Sequence, residues 1–297
     1  MTGRSLAAAL VLCLLVGAAA RSQVEPAHFH HVRLNVTNVE ESQRFYARVF
    51  GAVPIKFRGN DALFTERSLI LLNKVEQPPP FELQSGIWHI GWGGVDVKNE
   101  FEWWKARGVT IHTPLSPLPG ADNFYFYISG PDKELIEINT MGHHRFAHVH
   151  LFATDVNETV SWYAKHLGLT PQRPLPVAKP TGDMSSLRTI WMNSFRCDNV
   201  TLIVFGKPDR EEPPPWWRDP PLKEIKPTQG RAIDHLAFSY RDIEPVHRRM
   251  QAAGVKIVQP IAVQEALKLK SFFVLAPDNV LVEIVEAKPI PEGAWDE

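Results

Sequence analysis

The chain has 297 residues, enough for one large domain or two of ordinary size, and 44% of them are hydrophobic, which is ample for a core. Its 32 Lys and Arg nearly balance its 33 Asp and Glu, and neither sign forms a long run. A basic patch for nucleic acid or for an anionic membrane is therefore not expected. A small molecule is the expected partner, and the sequence does not indicate an oligomeric state.

The first 22 residues have the layout of a secretory signal peptide. Arg4 is their only charge before Arg21, an apolar run covers residues 6–16, and small residues follow it. We predict export to the periplasm or the cell exterior, with a retained N-terminal anchor as the alternative. The run is short for a bilayer span and no second one follows, so the mature chain should have no membrane-spanning segment. It would keep one cysteine, Cys197, and thus no internal disulfide.

The remaining sequence is a repeat of four related quarters. A constant offset of 117 aligns HVRLNVTNVEESQRFYARVFGAVP, from His31, with HVHLFATDVNETVSWYAKHLGLTP, from His148. An offset of 146 aligns HIGWGGVDV, from His89, with HLAFSYRDI, from His235, and no gap is needed as far as the glutamates LIEIN and LVEIV. Because repeats decide the fold class, we interpret each quarter as one structural unit.

Each quarter has the pattern of a βαβββ unit. Alternation over residues 31–36 predicts a half-buried strand, and a helix is predicted over Val39–Phe50, after Asn38 and before Gly51. Its counterparts are residues 100–107, 158–167 and 244–253. Three strands should follow each helix, for example over residues 110–112, 123–128 and 135–139. The expected class is α+β.

Proline-rich stretches mark the unit boundaries. Residues 77–80 separate the first two quarters, residues 140–145 join the halves, and residues 206–230 form a proline-dense insertion. The units are therefore expected at residues 28–76, 87–140, 146–206 and 232–287. Proline excludes the insertion from a sheet interior, which leaves a lid over a site or a surface excursion as its role.

Four βαβββ units that begin on histidine resemble the vicinal oxygen chelate superfamily, which includes glyoxalase I, bleomycin resistance proteins and extradiol dioxygenases. The resemblance covers essentially all of residues 28–287. It implies two half-open β-barrel modules with helices outside, over residues 28–140 and 146–287. Each module would pair two consecutive units around a metal ion that is bound by first and last strands.

The resemblance also implies the metal ligands. The first module would use His31, His89 and Glu137, and the second His148, His235 and Glu283. The remaining last-strand positions fall near Leu71 and Ile203, which cannot ligate, so three ligands are expected at each site. Two imidazoles and one carboxylate bind divalent ions and leave positions open. We expect Fe(II) or Mn(II), with Zn(II) or Ni(II) as alternatives.

Other residues are candidates for roles beside the metal. His150 should face the same cavity as His148 and serve as an acid or base, while His30 should face away from His31. Tyr127 precedes Gly130-Pro131-Asp132 in a pattern similar to that of extradiol dioxygenases, where it would bind a substrate oxygen. The second half has Phe273 in its place.

The resulting hypothesis is an exported, metal-dependent, dioxygenase-like enzyme that acts on a small oxygen-bearing, catechol-like substrate. One alternative is a lyase or isomerase of the glyoxalase type, although that enzyme resembles a four-ligand site and uses a cytosolic thiol. The other is a binding protein of the bleomycin resistance type, which would contain no metal.

Overall fold

The computed structural model describes residues 25–118, 123–180, 190–207, 224–265 and 267–295. Its helices are α1 Val39–Phe50, α2 Val97–Ala106, α3 Val156–Leu167 and α4 Glu244–Ala252. Its strands are β1 His28–Val36, β2 Val53–Phe57, β3 Asn60–Phe64, β4 Leu69–Lys74, β5 Ile87–Gly94, β6 Ile111–Pro117, β7 Phe124–Ser129, β8 Leu135–Thr140, β9 Phe146–Ala153, β10 Met192–Cys197, β11 Val200–Gly206, β12 Ile233–Tyr240, β13 Ile257–Gln264, β14 Leu269–Ala276 and β15 Val280–Glu286. The predicted α+β class is confirmed.

The helix ends follow from local capping. α1 begins after Asn38, whose side chain accepts a hydrogen bond from the Glu41 backbone, and ends at Gly51, which has a φ of 67°. α3 has the same arrangement, with Asp155 at its start and Gly168 at its end. Three strands follow the helix in units one, two and four. In the described part of unit three, two strands and an isolated bridge between Pro171 and Phe195 follow α3.

The strands form two mixed sheets, and each sheet combines one unit from the first half of the chain with one unit from the second half. The eight-stranded sheet has the order β13-β14-β15-β12-β1-β4-β3-β2, so it combines units one and four. The seven-stranded sheet has the order β10-β11-β9-β5-β8-β7-β6 and combines units two and three. In each sheet the two first strands run antiparallel at the centre, β1 beside β12 and β5 beside β9.

The predicted pairing of consecutive units, one with two and three with four, is wrong. Residues 141–145 are a short connection that keeps β9 in the same sheet as β8. Longer stretches of sequence, residues 75–86 and 207–232, separate β4 from β5 and β11 from β12, and the two strands of each pair belong to different sheets. The repeat shows which segments are equivalent. Both possible pairings of units preserve the same alternation of side chains, so the lengths of the connections determine which units share a sheet.

The aligned Pro-Asp turns join the two sheets. Asp132 accepts hydrogen bonds from the Thr37 backbone at 3.1 Å and from its hydroxyl at 2.7 Å. The repeat-equivalent Asp278 accepts from the Thr154 backbone at 2.9 Å and also from its hydroxyl. Each turn therefore binds the strand-to-helix connection of a unit in the opposite sheet.

A large apolar core lies between the sheets and the helices. Phe29 of β1 and Phe146 of β9 meet there, with ring centroids 6.2 Å apart. Each sheet also carries a separate, smaller apolar cluster. Among the described helices, none is both long and apolar enough to cross a membrane. The predicted signal peptide and residues 208–223 of the insertion lie outside the described residues.

Candidate metal centres

The first cluster, here the Glu283 site, lies at the centre of the eight-stranded sheet. It consists of His31 on β1, His235 on β12 and Glu283 on β15, which are adjacent strands. Both histidine Nε2 atoms lie 3.3 Å from Glu283 Oε2. The Ser271 hydroxyl donates to the other carboxylate oxygen at 2.7 Å. All three members of the cluster are buried.

The second cluster, here the Glu137 site, occupies the same place in the seven-stranded sheet. Its predicted ligands are His89 on β5, His148 on β9 and Glu137 on β8, and His150 on β9 also has a ring nitrogen within 4.8 Å of their donor atoms. Glu137 Oε2 lies 2.8 Å from His89 Nε2 and 3.0 Å from His148 Nε2. The two Nε2 atoms are 3.3 Å apart. The structure thus brings all six predicted ligands into two groups of three.

The composition of these groups differs from the expectation. His31 shares its site with His235 and Glu283, and His89 shares its site with His148 and Glu137, so the predicted grouping of His31 with His89 is wrong. The exchange of units between sheets is the reason. Each candidate site needs both halves of the chain.

The spacing of the donor atoms fits a metal ion. Nitrogen and oxygen ligands bind zinc-like ions at roughly 2.0–2.2 Å, which places neighbouring donors about 3 Å apart. The observed separations of 2.8–3.3 Å match this value.

The strand register shows that Leu71 and Ile203 hold the positions equivalent to the glutamate ligand. Glu283 pairs with Ala237, two residues after His235. In the same way Leu71 pairs with Arg33, two residues after His31, and Ile203 pairs with His150, two residues after His148.

A β-bulge precedes every one of the four histidines. The register shifts fall at His30, Trp88, Ala147 and Asp234. A bulge inserts a residue and changes the direction of side chains, so the residue before the histidine turns toward the site. His30 accordingly lies beside His31, with their Nδ1 atoms 2.8 Å apart, and its predicted position on the opposite face is wrong.

Asp234 is a functional candidate that sequence reasoning missed. Its carboxylate bonds to His235 Nδ1, which leaves Nε2 directed at Glu283. Such a partner fixes the tautomer and raises the basicity of a metal-binding imidazole. The Asp-His dipeptide was the available signal, but strict alternation placed its two side chains on opposite faces.

The protonation states of the Glu283 site suit a cation. Burial lowers the pKa of His31 to about 4, although Glu283 acts in the opposite direction, so His31 is neutral at pH 7. Burial favours a raised pKa for Glu283, but hydrogen bonds from His235 and His31 hold it well below its usual range. Glu137 has a lowered pKa for the same reason, with His148 and His89 as its donors.

The Glu137 site is bordered by aromatic side chains. Tyr127 lies opposite Glu137 in the β7–β8 register, and its ring centroid is 5.1 Å from that of His89. Trp88 packs at 4.4 Å from His89. His150 is also buried, and its ring centroid lies 4.7 Å from that of His89, which agrees with the expectation that it lies on the same side of the sheet as His148.

Gly91 makes room for one of the ligands. A Cβ atom at this position would lie 2.0–2.5 Å from three atoms of the His148 ring. Gly91 pairs with both Glu137 and His148, and Ala237 is its counterpart in the other sheet. The close approach of His148 to β5 therefore depends on glycine.

Comparisons with known proteins agree with this fold. Glyoxalase I from Zea mays has a TM-score of 0.66 and 18% identity, with 88% of this chain and 92% of that chain covered. A Bacillus subtilis protein named "putative dioxygenase" has a TM-score of 0.59 and 14% identity, with coverage of 92% and 89%. These identities show a shared fold alone. No curated protein sequence matches the chain.

The sequence model of one family matches both halves, over residues 28–138 and 145–284. The two matched segments follow the repeat, and each contributes two units to the sheets described above. Because the match extends over most of the chain, it establishes the family. The chain belongs to the Glyoxalase/Bleomycin resistance protein/Dioxygenase superfamily.

Proposed function

We propose that this chain is a metal-dependent enzyme that acts at the Glu137 site on a small substrate with two adjacent oxygen atoms. The observation that carries the proposal is the convergence of Glu137, His89 and His148 within 3.3 Å beside a tyrosine and a third histidine. A bound divalent ion would polarise the substrate and hold its two oxygens. The family and the donor set both support a metal.

The residues around the site have separable tasks. Trp88 and Tyr127 form an apolar wall that excludes water from a flat substrate. Tyr127, which lies opposite Glu137, would use its hydroxyl to bond a substrate oxygen or move a proton, and Phe273 in the other sheet has no hydroxyl. Tyr127→Phe should therefore lower kcat while metal content stays unchanged.

Two reaction classes have support at this site. Tyr127, in the pattern similar to extradiol dioxygenases, favours a dioxygenase-like reaction with a catechol-like substrate and iron or manganese. The presence of His150 among the donors favours a lyase or isomerase, because additional protein donors leave fewer positions for oxygen. Oxygen consumption during turnover separates the two classes.

Paired glutamate variants test the enzyme proposal. Metal content and turnover should be measured for the parent chain, Glu137→Gln and Glu283→Gln, with catechols and 2-oxoaldehyde thiol adducts as substrate panels. We expect Glu137→Gln to abolish turnover and Glu283→Gln to retain it. Turnover that survives Glu137→Gln would contradict the proposal, and a parent chain without metal would favour a binding protein.

Export remains a proposal that rests on the sequence of residues 1–22. The N-terminal sequence of the protein recovered from its native compartment tests it. A mature chain that begins near residue 23 is expected, and a retained Met1 would contradict cleavage.

A further inference from the structure

We propose that His150 is a fourth protein ligand of the Glu137 site, which makes it a centre of three histidines and one glutamate. The inference rests on the proposed metal at His89, His148 and Glu137. A ring nitrogen of His150 lies within 4.8 Å of donor atoms of all three. Donors on opposite sides of one ion are separated by about 4.2 Å at ordinary bond lengths. His150 is therefore within reach of the same ion, and a movement of its ring toward the other three donors would bring it into the coordination sphere.

The surroundings of His150 leave its polar atoms without another role. The residue is 4% exposed, and neither ring nitrogen has a hydrogen-bond partner. Its ring centroid lies 4.0 Å from that of Phe205 and 4.9 Å from that of Trp88, and neither of these side chains accepts a hydrogen bond from it. A buried polar group without a partner is destabilising, because it has lost the water that it bonds in the unfolded chain. A bond from one ring nitrogen to a metal removes the larger part of this destabilisation.

The repeat supplies an internal comparison. Arg33 occupies the position of His150 in the eight-stranded sheet, since each lies two residues after the first histidine of its unit. Its guanidinium donates to Asn73 Oδ1 at 2.8 Å, and arginine has no lone pair for a metal. The Glu283 site therefore has three protein donors and the Glu137 site has four.

Four protein donors change what the metal can accept. A six-coordinate ion would keep two positions, which suffice for the two substrate oxygens and leave none for dioxygen as a third ligand. Turnover at the Glu137 site is therefore expected without oxygen consumption.

Cobalt binding to the full chain tests the ligand assignment. His31→Ala removes the Glu283 site, and the cobalt complex of this variant is compared with that of His31→Ala/His150→Leu. X-ray absorption at the cobalt edge should count three imidazoles in the first and two in the second. Chelator competition should show affinity lower by roughly 100-fold, the upper end of the effect of altered metal surroundings. Two imidazoles and equal affinity in both variants would overturn the proposal.

Matched variants keep the test decisive. In a His89→Ala/His148→Ala background, Arg33→Leu should leave cobalt affinity and two imidazoles at the Glu283 site unchanged. If His150→Leu does not fold, the imidazole count of His31→Ala alone decides between three and two. Addition of His89→Ala/Glu137→Ala to the His31→Ala background leaves at most two donors at the Glu137 site and separates the two failures. Cobalt lost there but unaffected by His150→Leu overturns only the role of His150, and cobalt retained there overturns the metal site of the proposed function.

Discussion

The Glu283 and Glu137 sites are built from equivalent positions but have different surroundings. Glu283 is fully buried, and the cluster around it is mainly aliphatic, with Leu69, Leu71 and Leu269 joined by Ile290 and Ala294 from the C-terminal segment and with Phe57 as its buried aromatic residue. Glu137 is 7% exposed, and its face is aromatic, with Trp88, Tyr125 and Tyr127. The comparison teaches that a duplicated donor set can keep its geometry while its covering residues change, so that Glu137 retains slight exposure beside two tyrosines and Glu283 retains none.

Substitution of Gly91 should break the Glu137 site alone. In Gly91→Ala the new methyl group meets the His148 ring at 2.0 Å, so the ring must leave its place. We expect the bound metal to fall from two ions per chain to one, with an overpacking cost of roughly 1–3 kcal/mol. Elemental mass spectrometry measures the ions. Ala237→Gly is the control at the equivalent position and should retain both, whereas two ions in Gly91→Ala would contradict the close approach.

The stability that the contact between α1 and the β7–β8 turn contributes should depend on pH. Burial raises the pKa of Glu134 to about 7, although its bond from the Tyr46 hydroxyl at 2.6 Å acts in the opposite direction. The folded chain therefore holds the proton more tightly than the unfolded chain, and stability is lost as pH rises from 4.5 through 7. The loss is about 3 kcal/mol, and Glu134→Gln should remove it.

Urea unfolding at pH 5 and pH 8 measures this difference. The parent chain should lose more stability than Glu134→Gln over this interval. Val280 holds the equivalent position in unit four, so Val280→Ala serves as a packing control whose effect should not vary with pH. Equal pH dependence of the parent and Glu134→Gln would show that Glu134 titrates normally.

Asp234 should strengthen the Glu283 site. Asp234→Asn weakens the bond to His235 Nδ1 without a change in size, and metal affinity should fall by roughly 10–100-fold. Chelator competition in a Glu137→Ala background isolates the site. The exposed Asp242→Asn is the charge control, and an affinity equal to that of the parent site would remove Asp234 from the metal's surroundings.

The two Pro-Asp turns should contribute smaller and unequal amounts. Thr37→Val removes a half-buried hydroxyl bond to Asp132 and should cost about 1 kcal/mol. Thr154→Val should cost less because Thr154 is exposed, and water can replace the lost partner. Urea unfolding compares them, and a larger cost for Thr154→Val would contradict this ranking.

Sequence patterns predicted the local structure well because local forces determine it. Asn38 and Gly51 mark the ends of α1, and the repeat located His31, His89, His148 and His235 on equivalent strands. The partners of these strands could not be predicted, since either pairing satisfies the same alternation. The bulges were missed for a related reason. A bulge breaks the period of two on which the predicted direction of His30 was based, and under that period Asp234 would point away from His235.

The exchange of units between the sheets is tested most directly by metal counts in paired histidine variants. His31→Ala/His235→Ala removes two donors from one site, so the account predicts one ion per chain in that variant. His31→Ala/His89→Ala removes one donor from each site and should weaken both, so that neither ion survives dialysis against a chelator. Elemental mass spectrometry of both variants measures the ions. The opposite pattern, with one ion kept in His31→Ala/His89→Ala and none in His31→Ala/His235→Ala, would contradict the account, because it would place each site within one half of the chain.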